Sequence, residues 1–246
     1  MFCYYQFNGR NALEFQRNLA LFLSKFQPTA DSAYVEMLRR LGHRNIIYST
    51  LNYDMLLELS AEKLSFFPYN YCTRPSIGAI NLLKPHGSIN FWWDRNQVNF
   101  KNAHVSGSFT DGFLKGDILP VTYDEAVWRC HNEDSFSPAM AIYAMGKPVE
   151  VARSFISQQQ KWWEEAILNA SIIFVAGVAV NPADDHVWGI LAGSPAPITY
   201  FGLDGDGDAF MRWREAAKKR SAKFKLATFR ESLPHMRSEL RRMRGR

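Results

Sequence analysis

Cysteine is scarce in this 246-residue chain, and Cys3, Cys72 and Cys130 are widely separated and odd in number. They offer neither a disulfide framework nor a C-x-x-C half-site, so structural zinc is not expected. Long hydrophobic runs are also missing. The uncharged, mainly apolar stretch from Ile167 to Ala183 is interrupted by Asn169, Asn181 and Pro182. It falls short of the ~20 apolar residues a membrane-spanning helix needs, and no membrane span is expected. Glycine is thin at the start: Met1 to Lys25 holds Gly9 alone and no G-x-G turn. Met1 to Arg10 has no basic segment followed by an apolar run and a small-residue cleavage site, so the expected compartment is the cytoplasm.

What the chain does have is apolar and aromatic residue along its whole length, 47% and 14% of positions, which excludes disorder as the main state. The formal charge of +5 hides an asymmetry. Met1 to Asp208 carries 16 Lys and Arg against 21 Asp and Glu, whereas Ala209 to Arg246 carries 13 against 3. The basic character therefore belongs to the C-terminal segment, where it can attract phosphates or simply solvate a helix face.

Apolar spacing organises the rest. Leu13, Phe15, Leu19, Phe22, Leu23 and Phe26 recur at helical intervals, and a second helix is predicted from about Asp31 to Leu41, stopping at Gly42. Asn45 to Thr50 and Ile80 to Leu83 predict short strands, followed by the polar turns Thr50-Leu-Asn-Tyr-Asp54 and Lys84-Pro-His-Gly-Ser88. From about 94 to 148, Gly, Asn, Asp, Ser and Pro predict a loop-rich insertion. A helix from about Val151 to Asn169 then feeds a strand, Ile172 to Ala176, and a turn from Gly177 to Asp185. Further strands are predicted at Ile198 to Phe201 and Lys223 to Thr228, with a helix from Phe210 to Arg220 between them and a basic helix at about 229 to 246. Strands alternating with helices predict a single α/β domain with a doubly wound parallel sheet. In such sheets ligands bind beyond the carboxyl ends of the strands, so the turns at Thr50 to Asp54, His86 to Ser88 and Gly177 to Asp185 are expected to share one crevice.

Each turn has two readings. Asn52 and Asp54 place an amide and a carboxylate two residues apart, as a binding pair or as caps of the following helix. His86, beside Gly87, is either structural or a general base held close to a ligand.

Taken together, Thr-x-Asn-Tyr-Asp after an apolar strand, His-Gly-Ser some thirty residues on, and Ile-Ile-Phe-Val-Ala-Gly followed by Pro-x-Asp-Asp resemble the sirtuin-like family, particularly its bacterial branch without zinc. The resemblance spans about Ala33 to Thr228. It implies a Rossmann-like fold and NAD as substrate, cleaved between nicotinamide and ribose. By position, the family implies that Asn52 holds the nicotinamide ribose and the attacking group, and that His86 takes a proton from a ribose hydroxyl. It further implies that Thr50 and Asp54 help bind the nucleotide, Asp54 at the nicotinamide amide, that Gly177 admits it to the backbone, and that Asp185 is the turn's acidic residue. The family's Gly-rich phosphate turn and its strand have no counterpart upstream of Thr50, and Val178-Ala179-Val180 replaces the usual small hydroxyl. The zinc module of protein-deacylating sirtuins is absent as well.

The resulting expectation is an NAD hydrolase, with a role in antiphage defence implied by the family. The alternatives are a truncated or catalytically inactive scaffold and an NAD-dependent protein deacylase. A protein partner or a second copy is compatible with the 94–148 insertion, and nucleic acid with the basic C-terminal segment. Asp204, Asp206, Asp208 and Glu215 mimic calcium-loop spacing, but Ala209 occupies the position that requires glycine. A strand-end turn capping the next helix is the expectation there, with adenosine-ribose contact as a further role.

Overall fold

The computed structural model describes residues 9–66, 68–72, 78–94, 117–144, 147–150, 152–181 and 184–244. The glycine-poor start before Gly9, Cys3, residues 95–116 of the insertion and Pro182 lie outside them. In chain order the elements begin α1 (Gly9–Ser24), α2 (Ala33–Leu41), β1 (Ile47–Ser49), α3 (Leu56–Glu62), β2 (Tyr69–Asn70), β3 (Ile80–Leu83) and β4 (Phe91–Trp93). They continue with β5 (Ile118–Pro120), α4 (Tyr123–Asn132), β6 (Ala141–Ala144), β7 (Lys147–Glu150), α5 (Arg153–Leu168) and β8 (Ile173–Ala176). The last are α6 (Asp185–Gly193), β9 (Ile198–Gly202), α7 (Gly207–Ala216), β10 (Lys223–Leu226) and α8 (Phe229–Arg244). The protein is mixed α/β. Among the described residues no helix is long and apolar enough to cross a membrane.

The chain divides into two compact units. The first contains residues 1–27, 49–59 and 84–160. Its core gathers Ala20, Met55, Ile89, Trp92, Ala126, Cys130 and Met140. β4 pairs antiparallel with β5, and β6 with β7. Trp92 is buried with its Nε1 donating to the Ile89 carbonyl at 2.9 Å, and the Arg129 guanidinium lies over its ring. Burial pushes the Cys130 thiol up to about 12, the direction expected when a thiolate is denied water.

Two sequence expectations change here. The 94–148 segment is not only loop, because it carries β5 and the ten-residue helix α4. Thr122 Oγ1 accepts from the Glu125 amide at 3.3 Å and caps that helix. The threonine-x-x-glutamate spacing is a helix-start signal that outweighs the polar composition around it. In α1 the apolar stripe does not face inward as a whole: Phe15, Phe22 and Phe26 are exposed. The buried face is Ala12, Leu13, Gln16 and Ala20. Gln16 Nε2 donates to the Met140 carbonyl at 3.0 Å, and Ser137 Oγ donates to Gln16 Oε1 at 2.5 Å. A buried amide satisfied on both sides fixes the rotation of the helix, and the small alanines flanking it permit close approach.

The second unit contains residues 28–48, 60–83 and 161–246. One three-stranded sheet has the order β1-β3-β2, with β2 and β3 parallel. The other has the order β10-β9-β8 and is parallel throughout. Its central strand β9 is buried at every residue, as expected for a parallel strand covered on both faces. Tyr200 of β9 stacks on Phe210 with ring centroids 4.9 Å apart, and Trp188 packs edge-on to Trp213. The acidic turn after β9 behaves as a cap: Asp206 Oδ2 accepts from the Leu203 amide at 2.7 Å. Burial, with Asp206 beside it, pushes the Tyr200 phenol up to about 12. At the end of the chain Lys225 Nζ lies 3.0 Å from His235 Nδ1. An ammonium can only donate, so the ring is neutral with its proton on Nε2.

Candidate functional site

β1 and β3 are neighbours in one sheet, and the turns Thr50–Asp54 and Lys84–Ser88 leave from their carboxyl ends. The first unit holds both turns. In the first, Thr50 Oγ1 accepts from the Asn52 amide at 3.1 Å, a local hydroxyl turn. Asp54 Oδ1 accepts from the Leu56 amide at 3.0 Å, so this carboxylate caps α3. Asn52 is exposed, and no bond of its side-chain amide is seen among the described residues.

The two turns are tied together by Lys84, which is fully buried. Its Nζ donates to Glu58 Oε1 at 2.9 Å, to Ser88 Oγ at 2.7 Å and to the Asp54 carbonyl at 2.5 Å. Glu58 is fully buried too. Ser88 Oγ donates to the Tyr53 carbonyl at 3.2 Å, which also accepts the Ile89 amide at 2.9 Å. Three donors of one ammonium therefore join α3, the Asn52 turn and the His86 turn. A lysine is not removed from water without such partners.

A third strand of chain supports the His86 turn. The Ala141 amide donates to the His86 carbonyl at 2.8 Å, and the Ser88 amide to the Ala139 carbonyl at 3.0 Å. The Tyr53 hydroxyl donates to the Ala141 carbonyl. The Tyr53 and His86 rings lie 6.4 Å apart. Gly87 adopts φ +87°, and a Cβ there would sit 2.1 Å from the Ala139 carbonyl oxygen. Glycine is thus required twice over, by conformation and by space. His86 is half-buried between Pro85 and Gly87.

The structure brings Thr50, Asn52, Asp54 and His86 onto two joined turns. Gly177 and Asp185 belong to the second unit. Gly177 follows β8 with φ +70° and open space where a side chain would be. Asp185 is exposed in the first turn of α6. The Ala179 carbonyl between them accepts from Trp188 Nε1 at 3.0 Å.

Lys84 and Ser88 lie in a turn expected at the crevice, but their bond to each other and the partnership of Lys84 with Glu58 are not evident from the sequence. The available signal is a lysine directly after the buried strand Ile80 to Leu83, a place where a charge needs a partner. No protein-family model matches the chain, and a search of curated proteins returns no significant match.

Proposed function

We propose that the protein is a Rossmann-like NAD hydrolase of the sirtuin-like class, releasing nicotinamide and ADP-ribose. The observation that carries this reading is the joining of the Asn52 and His86 turns, through Lys84, at the carboxyl ends of two neighbouring strands. That is where open α/β sheets bind ligands. Loss of nicotinamide leaves an oxocarbenium-like ribose, which needs an oriented nucleophile rather than a strong acid. The Asn52 amide is exposed and can orient both the ribose and a water. The imidazole of His86 can serve as the base that accepts a proton from a ribose hydroxyl or from the incoming water. NAD and water then give nicotinamide, ADP-ribose and a proton, with no redox change. A role in antiphage defence through NAD depletion follows by resemblance and is part of this proposal.

A second reading, a binding or scaffold module without activity, is favoured by one observation: Asp54 Oδ1 is already committed to the Leu56 amide. Titration calorimetry with NAD, followed by a nicotinamide-release assay, separates the two. The expected result is saturable binding and release, with release lost in Asn52→Ala and His86→Ala variants that keep the wild-type unfolding midpoint. Full activity in either variant refutes the assignment of these residues, and absence of binding at millimolar NAD supports the scaffold.

A further inference from the structure

Part of the exposed positive charge of the second unit is gathered on one face. α8 presents Arg237, Leu240, Arg241 and Arg244 at intervals of three and four residues, which is one helical face. α2 packs beside it and contributes Arg40 and Leu41. Together these six residues line a groove of about 190 Å³ that contains four guanidinium groups and no carboxylate. A second groove of about 520 Å³ adjoins it, sharing Arg40 and Arg237 and adding Arg39, Arg230, Asp31 and Glu36. Its acids are already engaged. Glu36 holds both Arg40 and Arg230, and Asp31 Oδ1 accepts from Thr29 Oγ1 at 2.6 Å. Among the described residues Arg39, Arg237 and Arg241 have no carboxylate or carbonyl partner, while Arg244 donates to the Arg44 carbonyl at 2.9 Å.

Arg39, Arg237 and Arg241 thus stand close together without a carboxylate partner, an arrangement that costs self-repulsion and is relieved when an anion is bound. We infer that the α2–α8 groove binds the phosphodiester backbone of a nucleic acid. Three observations favour this partner. Every cation of the track is arginine, whose planar fork matches phosphate oxygens in pairs. The track is elongated: Arg237 to Arg244 spans about 10 Å of helix, the rise of about three nucleotides at ~3.4 Å each, and Arg39 extends it further. The lining has no aromatic side chain on which a base could stack, so recognition reads the backbone and is indifferent to sequence. The inference uses no residue of the proposed NAD site and stands or falls separately from it.

The test is fluorescence anisotropy of the full chain with labelled 20-nucleotide single-stranded DNA of two unrelated sequences. Four arginines on phosphate give a log–log salt slope of about −3. Both sequences are expected to bind equally. Arg237→Ala/Arg241→Ala removes two contacts and is expected to lower the slope by about 1.4 and affinity at 0.1 M salt by roughly 25-fold. Arg242→Ala is the control, since Arg242 pairs with Glu239 at 2.7 Å and does not line the groove; it is expected to bind within about twofold of wild type. All these side chains are exposed, so the unfolding midpoint should not move. No binding at 50 mM salt overturns the inference, as does wild-type binding by the double variant. Displacement of the DNA by polyglutamate at equal charge concentration also overturns it, assigning the groove to acidic protein instead.

Discussion

Lys84→Met tests the account of the candidate site most directly. The substitution keeps most of the side-chain volume but removes an ammonium that bonds Glu58, Ser88 and the Asp54 carbonyl, all within one unit. Removing one partner of a buried ion pair costs about 3–5 kcal/mol, because a carboxylate is left in a medium that cannot solvate it. At a urea slope of ~2 kcal/mol per molar the unfolding midpoint should fall by about 2 M. In a chain of this length the thermal midpoint should fall by roughly 10 °C. Lys84→Met/Glu58→Leu removes both charges and is expected to recover most of the loss, since apolar replacements of buried pairs are often neutral or stabilising. The assay is equilibrium denaturation followed by tryptophan fluorescence, because Trp92 and Trp93 lie in the same unit. A loss below about 1 kcal/mol for the single variant, or no recovery in the double, would refute the claim that Lys84 holds the two turns together.

Two more predictions concern conformation and protonation. Gly87→Ala must place a Cβ against the Ala139 carbonyl at positive φ; backbone strain and overpacking together should cost about 2–5 kcal/mol, read as a lower denaturation midpoint, and a loss under 1 kcal/mol would contradict the geometry. Burial, then the Lys225 charge, lowers the His235 pKa below its ordinary value of 6.5. The folded state therefore prefers the neutral ring, so its contribution is complete above the unfolded pKa and is lost as pH falls through the lower folded value. Stability should decline as pH falls below the ordinary imidazole value of 6.5, and His235→Gln should flatten that decline. An imidazole titrating above 6.5 by NMR would reverse the sign.

Regular elements were the most legible part of the sequence. Ile80 to Leu83 is a strand as read, and α2 ends at Gly42 with its cap at Ser32. Local signals of this kind depend on neighbours in sequence. The helix face of α1 was misjudged because hydrophobicity alone selected the phenylalanines, whereas the hydrogen bonds of Gln16 to residues over a hundred positions away decide the rotation. In the same way, the turn residues Asn52 and His86 could be named from their strand-end positions. The lysine joining them could not, because Glu58, Asp54 and Ser88 become its neighbours only after folding. The caps fell between these cases: Asp54 follows the common local use of aspartate, and Thr122 was hidden in a polar segment.

Each of the two units is assembled from three separate stretches of chain, and the polypeptide passes between them five times. No single cut of the gene yields either unit alone. The short visit of residues 49–59 to the first unit brings Thr50, Asn52, Asp54 and Glu58 and then leaves. A deletion that runs past residue 27 from one end, or back past residue 161 from the other, removes pieces of both units, and a fragment limited to residues 49–59 around the Asn52 turn lacks the Lys84 that anchors it. For a protein wired in this way, point substitution is the usable dissecting tool, and folding must close long loops before either core is complete.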